Sequence, residues 1–175
     1  RFIENMNYWG MFWSPAGGRI AYYDLQSRCR VRDTDGAMKD VDLTGGWPTG
    51  WSRDGKLLCV TRQDAATGMD VFMIDAVGGE PRPLRASANY ENLGVFSPDG
   101  RWIAYSSDES GRMEIVVTPV SGPVAPRQVS SNGTSISPTS PDALSWLDDG
   151  TIVYLDVSGE KLLAVPTKVS DGNSE

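Results

Sequence analysis

One pattern recurs four times along the chain, and its clearest copy reads Val95-Phe96-Ser97-Pro98-Asp99-Gly100-Arg101-Trp102-Ile103-Ala104-Tyr105. An aromatic residue ends one apolar run, a Ser-Pro-Asp-Gly turn follows, and a second apolar run begins. Proline presets φ for a turn, aspartate accepts hydrogen bonds from the backbone that follows it, and glycine supplies positive φ. The pattern therefore predicts a β-hairpin whose first strand ends in an aromatic anchor.

The other copies begin at Phe12, Gly50 and Ser145, at intervals of about 40–50 residues, which is the period of the blades in a β-propeller. Each copy contributes one aromatic anchor and one turn glycine, and together these are Trp13, Trp51, Phe96, Trp146, Gly17, Gly55, Gly100 and Gly150. Their shared position predicts that the anchors pack between blades. Single departures from the Ser-Pro-Asp-Gly turn weaken individual turns but not the repeat.

The strand after each turn is apolar at successive positions, as in Ile103-Ala104-Tyr105. Such a strand must be covered on both faces, and stacking one sheet on the next achieves this. We therefore expect one all-β domain over residues 1–175, a β-propeller of four-stranded antiparallel blades. The blades should span about residues 8–44, 47–86, 90–130 and 142–167. More polar, proline-bearing outer strands are expected at 38–44, 80–84 and 127–130, as is usual at a sheet edge.

The number of blades stays open at this point. The fourth repeat lacks an outer strand, and residues 1–7 could supply it and close a four-bladed ring. Alternatively, the four blades form an arc of a six- to eight-bladed propeller. We favour the arc, because the chain starts at Arg1 without an initiating methionine and is expected to be a segment of a longer protein. A β-sandwich would not need the same cassette four times.

Charge and composition disfavour several classes of function. There are 16 Lys and Arg against 23 Asp and Glu, a net charge of −7, which disfavours binding to nucleic acids and anionic membrane surfaces. The chain has no histidine, and so it lacks the commonest general base and the commonest zinc ligand. Two cysteines, Cys29 and Cys59, are too few for a metal cage, and whether they form a disulfide stays open. We expect no metal site, no cofactor and no catalytic residue.

The cassette also resembles a known family. Residues 97–115, with 126–130 and 159–166, resemble the WD-repeat-like blade of TolB-type propellers. They resemble still more closely the extracytoplasmic propellers of bacterial receptor-type serine/threonine protein kinases. The resemblance implies a non-catalytic interaction or sensing module that binds a protein or peptide at the channel mouth, in the periplasm or another extracytoplasmic compartment. This segment itself is expected to make no membrane contact, while membrane anchoring of the parent stays open. An alternative is the gating propeller of a prolyl-oligopeptidase-type serine peptidase.

Candidate binding residues lie in loops that we expect at one end of the blades. Trp47 and Tyr90 either anchor a partner or cap the blade cores. An aspartate follows the second strand of every repeat: Asp24, Asp64, Asp108 and Asp156. Together they form either an acidic ring that attracts a cation or a basic partner segment, or a set of ordinary turn residues.

An enzyme with its own site would need converging carboxylates on the strands that line the channel. We expect these strands at 9–13, 49–51, 94–96 and 144–146, and none of them contains a carboxylate. The adjacent pair Asp148-Asp149 occupies the turn of its cassette, so we assign it to turn formation. The sequence therefore favours binding over catalysis.

Overall fold

Four antiparallel sheets make up the computed structural model, which describes residues 6–35, 41–43, 46–85, 87–122, 124–134 and 143–168. The first sheet contains β1 (Met6–Trp13), β2 (Arg19–Asp24), β3 (Cys29–Asp33) and β4 (Val41–Asp42). The second contains β5 (Trp47–Trp51), β6 (Leu57–Asp64), β7 (Gly68–Asp75) and β8 (Arg82–Pro83). The third contains β9 (Glu91–Phe96), β10 (Trp102–Ser107), β11 (Glu114–Pro119) and β12 (Arg127–Gln128). The fourth contains β13 (Leu144–Trp146), β14 (Thr151–Leu155) and β15 (Leu162–Pro166).

Each sheet is a meander in which consecutive strands pair, so each corresponds to one repeat of the sequence. No α-helix occurs in these ranges, and the expected all-β architecture of antiparallel blades is confirmed. Met6 pairs with Asp24, which places it in the inner strand of the first blade rather than at the edge of the fourth. Residues 1–5 of the segment that could have closed a four-bladed ring lie outside the described residues.

The turn of the cassette closes with the same two backbone hydrogen bonds in the first three blades, and in the fourth it is one residue shorter, with the Leu147 amide donating to the Thr151 carbonyl at 2.8 Å. In the third blade the Ser97 amide donates to the Trp102 carbonyl (2.8 Å) and the Gly100 amide donates to the Ser97 carbonyl (2.9 Å). Asp99 accepts a further bond from the Arg101 amide (3.0 Å), and Gly100 has φ +73°. Where the first blade has Ala16 in place of the aspartate, the Ser14 hydroxyl donates to the Gly17 carbonyl at 2.6 Å instead. The turn glycines of the other blades also have positive φ: Gly17 +71°, Gly55 +67° and Gly150 +87°.

The hydrophobic core consists of three seams, one between each pair of neighbouring blades. Trp51 lies in the seam between the first and second blades, with Leu58 and Ile74, and its indole N–H donates to the Phe12 carbonyl at 2.9 Å. Phe96 occupies the next seam, beside Cys59 and Met73. Half-buried Trp146 packs in the third seam. Each of these anchors therefore packs against the blade that precedes its own.

Trp13 differs from the expected packing, because its side chain is 57% exposed. Met11 is exposed on the same side of β1, while Phe12 between them packs toward the second blade. Successive strand residues point to opposite faces, so Met11 and Trp13 lie on the face that no described blade covers. The fourth blade has a matching open face: β14 and β15 alternate in burial, and Leu162 on the outer side is 68% exposed. In contrast, β10 is buried along its whole length.

The inner strands approach one another closely at glycines. The Thr49 hydroxyl of β5 donates to the Gly94 carbonyl of β9 at 2.8 Å. A Cβ atom added at Gly94 would lie 2.7 Å from Val71 Cγ1 and 3.1 Å from Cys59 Sγ. The pairing of β1, β5 and β9 with their neighbours shifts register near Gly10, Gly50 and Gly94, so each of these inner strands carries an irregularity.

The two cysteines are free, and both are buried. Cys29 lies in the first seam and Cys59 in the second, so the question of a disulfide, which the sequence left open, is answered. Burial raises the pKa of both thiols far above the ordinary value.

Candidate functional site

Four turns that follow the second strands lie at one end of the blades, which we call the loop end. The antiparallel pairing places the end of each second strand opposite the start of its inner strand, as in Ser107 with Glu91. The turns at 24–28, 64–68, 108–113 and 156–161 therefore share this end with the connection at 87–90. The cassette turns lie at the opposite end.

Each recurrent aspartate is hydrogen-bonded to backbone amides at the loop end. Asp24 Oδ1 accepts from the amides of Gln26 (2.9 Å) and Arg28 (3.0 Å). Asp64 Oδ1 accepts from the Ala66 amide at 2.8 Å. Asp156 Oδ1 accepts from the Glu160 and Lys161 amides, both at 3.2 Å. Asp108 Oδ1 instead accepts from the Tyr90 amide at 2.9 Å and so joins two loops.

Two of these carboxylates have depressed pKa values. Burial acts to raise the pKa of Asp24, but the hydrogen bond from Arg30 (2.6 Å) and those from Arg28 outweigh it, and the pKa lies below its ordinary value. The Ser158 hydroxyl and the turn amides lower the pKa of Asp156. In the described part of the chain, no three acidic or cysteine side chains come close enough to hold a metal ion. Three of these carboxylates therefore shape their own turns, and that of Asp108 binds the connection at Tyr90.

The residue after each of these aspartates projects into solvent. Leu25 is 56% exposed and Val157 is 67% exposed, and Ala65 and Glu109 occupy the equivalent exposed positions in the other two blades. We call these four residues the turn tips. Their side chains differ from blade to blade, while the aspartate that orders each turn does not.

The two aromatic candidates are half-buried rather than projecting. The Trp47 ring packs on Tyr23 with 5.4 Å between ring centroids, and its indole N–H has no partner among the described residues. The main chain of Tyr90 is bound to Asp108 at both its amide and its carbonyl. Burial, together with the Asp108 charge, raises the pKa of the Tyr90 hydroxyl. Both residues lie at the loop end, and the Trp47 ring packs across the first seam.

The sequence reasoning missed a carboxylate in an inner strand. β9 begins at Glu91, three residues earlier than expected, so the expectation that the inner strands contain no carboxylate is wrong. Glu91 is fully buried and accepts a hydrogen bond from the Ser87 hydroxyl at 2.8 Å. Across the seam, the charge of Asp70 on β7 adds to the effect of burial in raising the pKa of Glu91. The sequence signal that could have indicated this site was the presence of a charged residue, Glu91, directly before the apolar residues of the inner strand.

No helix in the described ranges is long and apolar enough to cross a bilayer.

No protein-family model matches the chain. A curated relative, the uncharacterized protein Atu1656 of Agrobacterium fabrum, is 30% identical over 115 residues. The match covers 58% of this chain and 36% of the relative, so the chain spans about a third of that protein's length.

Solved structures show the fold clearly. A protein described as a TolB from Agrobacterium tumefaciens superposes with a TM-score of 0.64 at 18% identity, over 87% of this chain and 62% of that one. TolB from Acinetobacter baumannii gives 0.68 at 17%, over 91% and 44%. A chain of a nidogen/laminin complex gives 0.72 at 10%, over 95% and 63%. The expected β-propeller fold is confirmed, and the chain spans 44–63% of the length of these three propeller chains.

Proposed function

We propose that this chain is a non-catalytic β-propeller module. It binds a protein or peptide through the turn tips and the aromatic residues of its loop end. The observation that carries the proposal is the arrangement of the loop-end turns, in which a hydrogen-bonded aspartate is followed by an exposed side chain. In three blades the aspartate orders the backbone of its own turn through amide hydrogen bonds, and in the third blade Asp108 binds the amide of Tyr90 in the adjacent connection. In every blade the next residue is exposed, and its type differs from blade to blade. An ordered backbone reduces the conformational entropy lost on binding, which favours recognition by the side chains that it presents.

The chemistry of the turn tips suits a mixed partner surface. Leu25 and Val157 offer apolar contacts at the two ends of the arc, and Glu109, paired with Arg85 at 2.7 Å, adds a polar contact near the middle. Tyr90 and Trp47 lie just below, where aromatic side chains commonly anchor interfaces. With a net charge of −7, the domain attracts basic segments of a partner at long range.

The resemblance of residues 97–115 to these families supports a parent protein that is a bacterial receptor-type serine/threonine kinase with an extracytoplasmic sensor or a TolB-like periplasmic protein. A gating propeller of a prolyl-oligopeptidase-type peptidase is the alternative. The neighbouring coding sequence distinguishes them: a membrane span and a kinase domain indicate the receptor, and an α/β-hydrolase domain indicates the peptidase. The binding proposal for this segment is the same in each case.

The test uses a double variant of the turn tips, Leu25→Asp with Val157→Asp, and a control, Val77→Asp. Val77 is exposed at the opposite end of the second blade, in the turn after β7. Proteins captured from a bacterial periplasmic extract are identified, purified and titrated against each variant by calorimetry. We expect a partner whose affinity falls at least about tenfold with the double variant and is unchanged by the control. Equal affinities for all three proteins would contradict a binding surface at the loop end.

A further inference from the structure

The seam between the second and third blades has an unusual concentration of unsatisfied polar atoms. Six buried side-chain nitrogen or oxygen atoms lack a hydrogen-bond partner in the described residues, and three of them cluster along this seam: Asp70 Oδ1, Glu91 Oε2 and Asn92 Nδ2. Buried polar groups are nearly always paired, so each exception calls for a physical reason. Two of these three atoms are carboxylate oxygens, which cannot donate to each other when both groups are ionised.

In the third blade, the residue equivalent to Asp70 is Glu114, a carboxylate whose oxygens both accept hydrogen bonds. Glu114 lies four residues before Thr118 in β11, and Asp70 lies four residues before Ile74, the matching residue of β7. Glu114 is fully buried. Glu114 accepts hydrogen bonds from Arg112 Nε (2.6 Å), the Gly133 amide (3.0 Å) and the Ser130 hydroxyl. One guanidinium and two further donors therefore satisfy the carboxylate oxygens of Glu114. Glu91 has one neutral hydroxyl, from Ser87.

The groups that face Glu91 do not supply the missing positive charge. Asp70 on β7 and Glu109 in the turn after β10 are both negative and raise the pKa of Glu91, in addition to the larger effect of burial. Arg85, in the connection after β8, acts in the opposite direction, but it is bound to Glu109 at 2.7 Å and reaches Tyr105 Oη at 3.5 Å. Tyr105 on β10 completes the surroundings and remains neutral, because burial raises the pKa of its hydroxyl.

The backbone beside Glu91 is strained as well. Leu93 is buried with φ +51°, a left-handed conformation that branched and bulky residues rarely adopt. Its amide donates to Asn92 Oδ1 (2.9 Å) and to the Thr61 hydroxyl (3.2 Å) of the second blade. Strain of this kind persists only while the surrounding packing enforces it. A negative charge on Glu91 would therefore arise two residues from the strained backbone of Leu93.

We propose that Glu91 is a proton-binding site that joins the second and third blades, and that loss of the proton loosens the start of β9 together with the connection at 87–90. A proton is the one cation that fits, because the unpaired oxygens of Glu91 and Asp70 have no solvent-accessible space around them. The folded state holds this proton to higher pH than the unfolded chain does. The contribution of Glu91 to stability is therefore fully present below the ordinary glutamate pKa of about 4.3 and is lost as the pH rises through the folded value.

The composition of the chain makes this site measurable. There is no histidine, so no side chain with an ordinary pKa titrates between about pH 5 and 8. The experiment is chemical denaturation of the 175-residue chain at pH 5, 6, 7 and 8, with hydrogen exchange of the β9 amides. We expect the denaturation midpoint of the wild type to fall across this range. Where the folded pKa lies one unit above the unfolded value of about 4.3, the unfolding equilibrium constant rises by about tenfold over the whole titration, and about 2.5-fold of that rise falls above pH 5.

Glu91→Gln removes the titration while keeping the shape, and its midpoint should be constant over the same range. Glu114→Gln is the matched control: it disturbs a satisfied buried carboxylate in the next seam, and the wild-type slope should remain. Should Glu91→Gln fail to fold, Asp70→Asn provides the second test. Removing the Asp70 charge lowers the pKa of Glu91 and shifts the fall in stability to lower pH.

A wild-type midpoint that is constant from pH 5 to 8, a Glu91→Gln variant with the wild-type slope, or an Asp70→Asn variant with an unshifted profile would each overturn the proposal. The proton site is independent of what the turn tips bind, because its readout is stability. A failed binding test with an intact pH profile, or the reverse, therefore separates the two proposals.

Discussion

Replacing Gly94 by alanine should destabilise the protein by about 2 kcal/mol, because the new methyl group has no room. It would lie 2.7 Å from Val71 Cγ1 and within 3.2 Å of both Cys59 Cβ and Sγ. Both neighbours are fully buried in the second seam and cannot move without shifting β6 and β7. Overpacking a core costs about 1–3 kcal/mol, and a clash this close lies at the upper end of that range. The gain of about 0.5–1 kcal/mol from replacing glycine in a strand offsets part of the cost.

Gly50→Ala is the matched control on the neighbouring inner strand. A Cβ at Gly50 has its nearest contact 3.5 Å away, and its φ is not positive, so stability should stay constant or rise by up to about 1 kcal/mol. Urea denaturation measures both variants. With an m value of about 2 kcal/mol/M, the Gly94→Ala midpoint should fall by about 1 M. Equal midpoints for the two variants would refute the reasoning that β9 packs against β6 and β7 at Gly94 without room for a methyl group.

Three further predictions concern the seams. Trp51→Ala should lower the free energy of unfolding by about 3–5 kcal/mol, because it leaves a cavity in the first seam. Trp13→Ala should lower it by less than about 1 kcal/mol, because the Trp13 ring is exposed. Equal urea midpoints for the two variants would contradict this assignment. Ser130→Ala removes a donor from the buried Glu114 carboxylate and should cost about 1–3 kcal/mol at neutral pH, measured by thermal unfolding; an unchanged melting temperature would show that water replaces the hydroxyl. Both cysteine thiols should react with a maleimide only as fast as the chain unfolds, and rapid labelling of the folded protein would contradict their burial.

The repeat predicted the architecture because every level of the sequence agreed with it. The aromatic anchors, the turn glycines and the strands that are apolar on both faces all require sheets stacked on sheets, and no other arrangement satisfies the three together. The turns also followed from the sequence, since a Ser-Pro-Asp-Gly segment contains its own hydrogen-bond partners. Local chemistry is sufficient where the partners lie within five residues of each other.

The site depends on contacts between blades, which the sequence does not reveal. Glu91 was overlooked because the start of β9 is set by pairing with Ser107, not by a turn residue. The exposure of Trp13 could not be foreseen from its cassette, because it depends on whether a preceding sheet covers it. The close approach at Gly94 likewise requires the geometry of three strands from two blades. Packing across a seam, unlike a turn, has no short-range signature.

The two open faces of the arc differ in chemistry. Met11 and Trp13 dominate one, and Leu162 is prominent on the other. The two faces cannot pair with each other about a twofold axis, so a contact between one face and the other runs head to tail and need not stop at two copies. Sedimentation analysis should then show a series of oligomers whose mean size increases with protein concentration. Trp13→Ser should reduce that mean size.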